Sequence, residues 1–236
     1  MQFLVFQLCA PMAAWGDTAV GEHRGSRDLP GVSALIGLLG AALGLRREDE
    51  AAHAALRDHY RFAVGLVSSG QLLRDYHTAQ VSGRAALKGR PHNTRRDELS
   101  VPKHDLNTIL SVRDYRQGGA WVVAVEAMPD APHALKALMS ALREPRFVLY
   151  LGRKSCPPAT PLAPIVAEAE SAHAAITTYL NAADPPVTLR SLAWSDGIHA
   201  GVDAHLSAPR KDRLIRRGGW QFGDRTEHIA LLAEDD

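Results

Sequence analysis

The segment from Gln71 to His104 constrains this chain's fold more than any other. It holds few apolar residues and carries Arg74, Arg84, Lys88, Arg90, Arg95, Arg96 and Lys103 against only Asp75, Asp97 and Glu98. Such a stretch buries too little apolar surface to offset the entropy of folding alone. It must therefore project, as an extended basic hairpin or loop, from a body built by the residues on either side.

That body is written in alternating strand-like and helix-like runs. Phe3 to Leu8 reads as a β-strand ended by Pro11, which cannot donate to a sheet ladder. A polar, glycine-containing loop spans Ala13 to Pro30. Ser33 is placed to cap a helix to about Leu45, in which Gly37, Gly40 and Gly44 recur at helical spacing. Glycine costs about 1 kcal/mol relative to alanine at each such position, so a close neighbour is expected there. A second helix runs from about Glu48 to His59, a strand from Arg61 to Ser68, and a hairpin from Asp105 to Tyr115 and Ala120 to Ala127, closed at Gln117, Gly118 and Gly119. Pro132 to Leu142 is helical, with Leu135, Leu138, Met139 and Leu142 on one stripe, and Phe147 to Leu151 is a strand.

The resulting order is an α+β pattern, close to a ferredoxin-like βαββαβ core with an inserted basic segment at about 71–104. After Pro157 the proline-rich stretch PPATPLAP marks a boundary. Beyond it come a helix-like run, Ile165 to Asn181, and strand-like pieces at Val187 to Trp194 and His228 to Leu232. The expected division is a main domain over 1–156 and a smaller C-terminal region, 157–236, packed on it.

Composition adds exclusions. The 236 residues are 46% hydrophobic and 22% charged, as in an ordinary soluble protein. Cys9 and Cys156 lie far apart without metal-ligand spacing, which suits a reducing compartment. MQFLVFQLCAP lacks a basic region before its apolar run, and Val32 to Leu45 is too short to span a bilayer. A cytoplasmic protein without membrane contact is expected. The net charge of +1 does not itself point to a polyanion, but binding one requires only local charge. The 71–104 segment supplies it, and so does a second run, Arg210, Lys211, Arg213, Arg216 and Arg217, followed by Gly-Gly-Trp.

Several smaller features suit phosphates or bases. Leu151 to Ser155 (LGRKS) is a basic glycine turn after the expected strand, where backbone N–H groups, Arg153 and Lys154 can hold a phosphate. GxxxxGK[ST] is absent, so nucleotide hydrolysis has no support. Trp15, beside Arg24 and Arg27, offers a stacking platform or a lid on the core. Tyr76 and His77 lie in the segment that holds Lys88, His92 and Lys103, residue types able to cleave RNA through its own 2′-hydroxyl. With eleven histidines in the chain, however, such a neighbour also arises by chance. No catalytic residue, metal ligand or cofactor is assigned.

FQLCAPMAAWG at Phe6 to Gly16, GVSALIGLLGAALGL, LLRDYHT at Leu72 to Thr78, SVRDYRQGGAWVVAVEA at Ser111 to Ala127 and YLGRKSCPP at Tyr150 to Pro158 occur in this order. Together they resemble the CasD family of type I-E CRISPR systems over roughly Met1 to Pro164, with AWSDG at Ala193 to Gly197 beyond. The resemblance implies a RAMP protein, a ferredoxin-like core of the RNA-recognition type with a projecting thumb hairpin. It implies a non-catalytic RNA-binding subunit of the Cascade antiviral surveillance complex, clamping the 5′ handle of the CRISPR RNA. It further implies a CasC-type backbone subunit and a CasA-type large subunit as partners, with target DNA reached indirectly through the guide.

Carried over by position, the resemblance makes the basic insert around Arg84 to Lys103 the thumb, with Arg84, Lys88, Arg90, His92, Arg95, Arg96 and Lys103 as its RNA-binding residues and Tyr76 and His77 assigned to RNA as well. Handle contacts would come from Trp15, Arg24, Arg27, the helix N-terminus at Ser33, Arg113, Tyr115, Arg153 and Lys154. In a related branch the homologous subunit is itself the ribonuclease that processes CRISPR repeat RNA. That is one alternative; a purely architectural subunit whose cations meet protein carboxylates is another.

Overall fold

The computed structural model describes residues 1–17, 19 and 21–232. In chain order the elements are β1 (Gln2–Ala13), the two-residue strands β2 (Trp15–Gly16), β3 (His23–Arg24) and β4 (Ser26–Arg27), α1 (Val32–Leu43), α2 (Glu50–His59), β5 (Tyr60–Ser68) and β6 (Gln71–Ser82). Then follow α3 (Arg95–Leu99), β7 (Leu106–Ala127), α4 (Leu135–Arg143), β8 (Ile165–Glu168), α5 (Ala172–Asn181), β9 (Ser191–Ser195), β10 (Leu206–Arg216) and β11 (Gln221–Leu231). The architecture is α+β, on a mainly antiparallel sheet ordered β10-β11-β9-β5-β7-β1-β8, with β6 and β3 also paired to β7.

β1 and β7 form the centre of this sheet because both of their faces are apolar. Leu4, Phe6, Leu8, Trp121, Val123 and Val125 point to the face that also buries Leu35, Leu39 and Leu138 of α1 and α4. Phe3, Val5, Val122 and Ala124 point the other way, onto Ala172, Ala175 and Ile176 of α5. Each fully buried Leu or Phe contributes about 1.5–3 kcal/mol, so the two layers fix the register firmly.

β1 does not stop at Pro11. Gln7 N–H and Cys9 C=O bond outward, to Leu162 and Ala159, so odd-numbered residues direct their polar groups away from β7. The N–H that Pro11 lacks would lie on that outer side, and the β1–β7 ladder resumes at Met12, opposite Gln117.

The hairpin expected to close at Gln117, Gly118 and Gly119 is absent. β7 runs unbroken because Gln117, Gly119 and Ala120 stay in register with Met12, Ala10 and Cys9 of β1. β5 and β6 instead follow one another along a single edge of β7, so the true turn is the basic stretch 83–105. α1 begins at Val32, not under a Ser33 cap: its N-cap is Gly31, and the Asp212 carboxylate accepts from Val32 N–H at 2.8 Å.

Phe147 to Leu151 is not a strand. Arg146 and Phe147 donate backbone N–H groups to Ala42 and Ala41 at the end of α1, which draws the chain off the sheet, and β8 occupies the edge beside β1. The expected helix from Ile165 splits accordingly, with α5 starting behind the Ser171 cap. Val187 to Trp194 contributes only the later strand β9, and β10 is an addition to the expected elements. Residues 233–236 of the expected C-terminal region lie outside the described residues.

Candidate nucleic-acid interface

The β6–β7 hairpin is a cationic surface with almost no core. Its arms pair from Gln71 opposite Gln117 to Ser82 opposite Leu106. At its tip Arg84, Lys88, Arg90, His92, Arg95, Arg96 and Lys103 are all exposed. The tip is ordered by its own polar bonds: Thr94 and Asp97 form a capping box for α3, Arg90 donates to Ser100 C=O at 2.9 Å, and Arg95 holds Glu98 and the Gln80 carbonyl. Tyr76, 62% exposed, and His77 sit on opposite faces of β6, as strand alternation requires. His77 is hydrogen-bonded to Asp75 on its own face.

At the hairpin base, buried Asp114 gathers three elements. Arg74 grips it with two bonds, 2.9 and 3.1 Å, and His23 Nε2 donates to it at 3.1 Å. The Arg74 fork, and to a lesser degree His23, holds the Asp114 carboxyl below the ordinary carboxylate range. The β3–β7 pairing aligns Arg24 with exposed Arg113. Arg153 closes the arrangement: its guanidinium lies 4.6 Å from the Tyr115 ring and donates to the carbonyls of Asp114 at 3.2 Å and Arg24 at 3.0 Å. Lys154 beside it is exposed. The turn that presents both needs Gly152 at φ 86, where any Cβ would lie 1.8 Å from Ala14 O.

Three predicted contacts take different roles. Trp15 is a core residue, 2% exposed and edge-on to Trp121 at 5.1 Å, so it offers no face to a base. Tyr115 is buried and works as the shelf under Arg153. The α1 N-terminus at Ser33 is already served by Asp212, so it is not an open anion site. Arg27 is exposed but ion-paired with Asp17 at 2.9 Å.

The second basic run is visible in the sequence, but its spacing does not join it to the site. It lies on β10 and in the β10–β11 turn, which close a cavity of about 700 Å³ over α1 and the 151–155 turn. Arg153 and Tyr150 line it from one side, and Lys211, Arg217, Trp220 and Phe222 from the other. Glu50, the first residue of α2, fixes the turn by accepting from the backbone N–H groups of Gly218 at 2.7 Å and Arg217 at 2.9 Å, which lowers its pKa. Trp220 is left 53% exposed at φ 49, a backbone state that costs a bulky residue about 1–3 kcal/mol. Arg47 and Arg217 stack on its ring, 4.7 and 5.3 Å from the centroid.

Beneath the cavity, Arg210, Asp212, Arg225 and Glu227 form a buried four-member ion network. Two cations and two anions cancel, so the network orients β10 and β11 against α1 without lending charge to the surface.

The model of the family described as CRISPR-associated protein (Cas_Cas5) matches residues 3–226. The chain belongs to that family. It is 33% identical over 168 residues to the CRISPR system Cascade subunit CasD of Escherichia coli, covering 68% of this chain and 69% of that one. A chain of a solved CRISPR RNA-guided surveillance complex superposes with a TM-score of 0.66 at 23% identity, over 97% of this chain and 89% of its own length. A solved Cas protein superposes with a TM-score of 0.64 at 26% identity, over 98% and 94%. The family match spans the hairpin, its base and most of the β10–β11 pair. Among the described residues, no helix is long and apolar enough to cross a membrane.

Proposed function

We propose that this chain is a non-catalytic CRISPR RNA-binding subunit of a cytoplasmic type I-E Cascade complex, and that it clamps the 5′ handle of the guide. The match to CasD, across two thirds of both chains, carries this reading. In it, β8-β1-β7-β5 with α1 and α4 is the ferredoxin-like RAMP core, and the β6–β7 hairpin is the thumb. Residues 1–156 form the RAMP domain, whose fourth strand, β8, comes from the smaller C-terminal region, 157–236. A CasC-type backbone subunit and a CasA-type large subunit are the protein partners, and target DNA is reached only through the guide.

The handle backbone would run from the exposed tip cations past Arg24 and Arg113 to Arg153 and Lys154. Single-stranded RNA is held in this way when fixed cations track phosphates and bases are left free to be read. Replacing Arg153 and Lys154 by glutamine tests the path. For each phosphate no longer neutralised, the slope of log affinity against log salt should fall by about 0.7, and an unchanged slope would remove this pair from the site.

One observation favours a second reading, a metal-independent ribonuclease that processes the repeat: Asp75 is placed to orient His77. Against it, Tyr76 faces the other side of the strand. Cleavage of repeat RNA that His77→Ala abolishes would establish the ribonuclease and sink the non-catalytic clamp.

A further inference from the structure

We propose that the cavity between α1, the 151–155 turn and the β10–β11 turn seats one unstacked nucleotide of single-stranded RNA. Its base would rest on Trp220 and its phosphate on Arg153, Lys211 and Arg217. The proposal rests on the RNA-binding reading above and extends it to the C-terminal hairpin.

The cavity's size suits such a guest. About 700 Å³ lies within the range of sites that enclose small molecules, and offers room for a nucleotide but not a helix. Its charge suits a phosphate, because the acids that line it are engaged elsewhere. Asp212 is held by Arg225 and Arg210 and accepts from Val32 N–H, and Asp17 pairs with Arg27. The cations, by contrast, have no carboxylate in direct contact with their charged groups among the described residues. Arg153 donates to two neutral carbonyls, and Arg217 donates to Ser33 C=O at 3.3 Å with no carboxylate ion pair among the described residues. Burial lowers the Arg217 pKa although the nearby Glu50 carboxylate opposes the shift, and a phosphate would supply the direct side-chain anion that Arg217 lacks among the described residues.

The aromatic wall is held ready. Glu50 pins the turn on which Trp220 stands, and α1 carries Gly37 where the Arg217 guanidinium lies: a Cβ there would come within 2.5 Å of its Nη2. A base reaching Trp220 must displace one stacked guanidinium. An exposed cation–π contact amounts to about a 2- to 5-fold effect on an equilibrium. A stacked base amounts to about 5- to 150-fold. The exchange therefore favours the base, and it releases a guanidinium beside the incoming phosphate.

The test titrates the full chain with single-stranded RNA carrying the CRISPR repeat 5′ handle, with 2-aminopurine replacing one base at a time. One position should lose fluorescence on binding. Trp220→Ala should abolish that quench and weaken binding by about 5- to 150-fold, and Trp220→Phe should keep most of both. Lys211→Gln should leave the quench and lower the salt slope by about 0.7. Parent protein that binds the RNA, with Trp220→Ala binding it equally, would overturn the cavity site and leave RNA binding standing. Parent protein that ignores the RNA but binds poly-glutamate would overturn both in favour of a carboxylate-bearing protein partner. Melting curves confirm that the variants fold, and Lys211→Gln carries the test should Trp220→Ala fail to.

Discussion

Asp114 does more for the site than any exposed cation, because it gives Arg74 and His23 a shared anchor while its backbone carbonyl receives Arg153. Asp114→Asn removes the charge from a set of charge-assisted bonds and should lower stability by about 1.5–3 kcal/mol, read by denaturant unfolding. The linkage sign follows from its depressed pKa. Since the folded value lies below the ordinary 3.8, the ionised carboxylate stabilises the fold above that pH, and the contribution fades as pH falls through the folded value. A melting series from neutral to acid should show a flatter acid decline for Asp114→Asn than for the parent. Asp212 is the second such residue: Asp212→Ala leaves Arg210 and Arg225 short of a buried partner and should cost about 3–5 kcal/mol, read by the same unfolding. Neither role is legible in the sequence. Asp114 stands 40 positions from Arg74, and Asp212 stands 180 from Val32, so local spacing carries no trace of either bond. Trp15 is ambiguous in the sequence for a related reason: only the position of Trp121 shows it to be core.

At the scale of elements, legibility follows how far the apolar pattern alone dictates structure. The first half of β1 is legible, and so are α1, α2 and α4 to within a few residues, because each places apolar side chains in a buried layer, whereas the continuation of β1 past Pro11 is not. β10 escapes because Arg210, Asp212 and Leu214 are its inward residues, so two ions stand where alternation calls for apolar side chains. β7 reads as a hairpin because Gly118 and Gly119 carry a turn signal that pairing with β1 overrides. The basic insert reads correctly as lacking a core, and none of α3 is buried. Replacing the tip from Arg84 to Lys103 with a short Gly-Ser turn should therefore shift unfolding by less than about 1 kcal/mol, yet reduce handle RNA affinity more than tenfold, by electrophoretic mobility shift. A large loss of stability would show that the tip belongs to the core instead.

Over the whole molecule, a formal charge of +1 conceals how the charge is placed. The ions buried between β10 and β11 are paired with one another, while the hairpin tip, the 151–155 turn and the β10–β11 turn present cations whose partners are mostly carbonyls or solvent. A nearly neutral protein organised in this way can hold RNA, with an affinity that depends on local contacts and salt. Binding of the full chain to processed 5′-handle RNA across a salt series, with the RNA recovered and sized afterwards, tests this most directly. The account predicts an affinity that falls linearly with log salt, by several phosphate contacts, and RNA recovered intact. Binding that is absent or insensitive to salt, or RNA recovered as cut fragments, would contradict it.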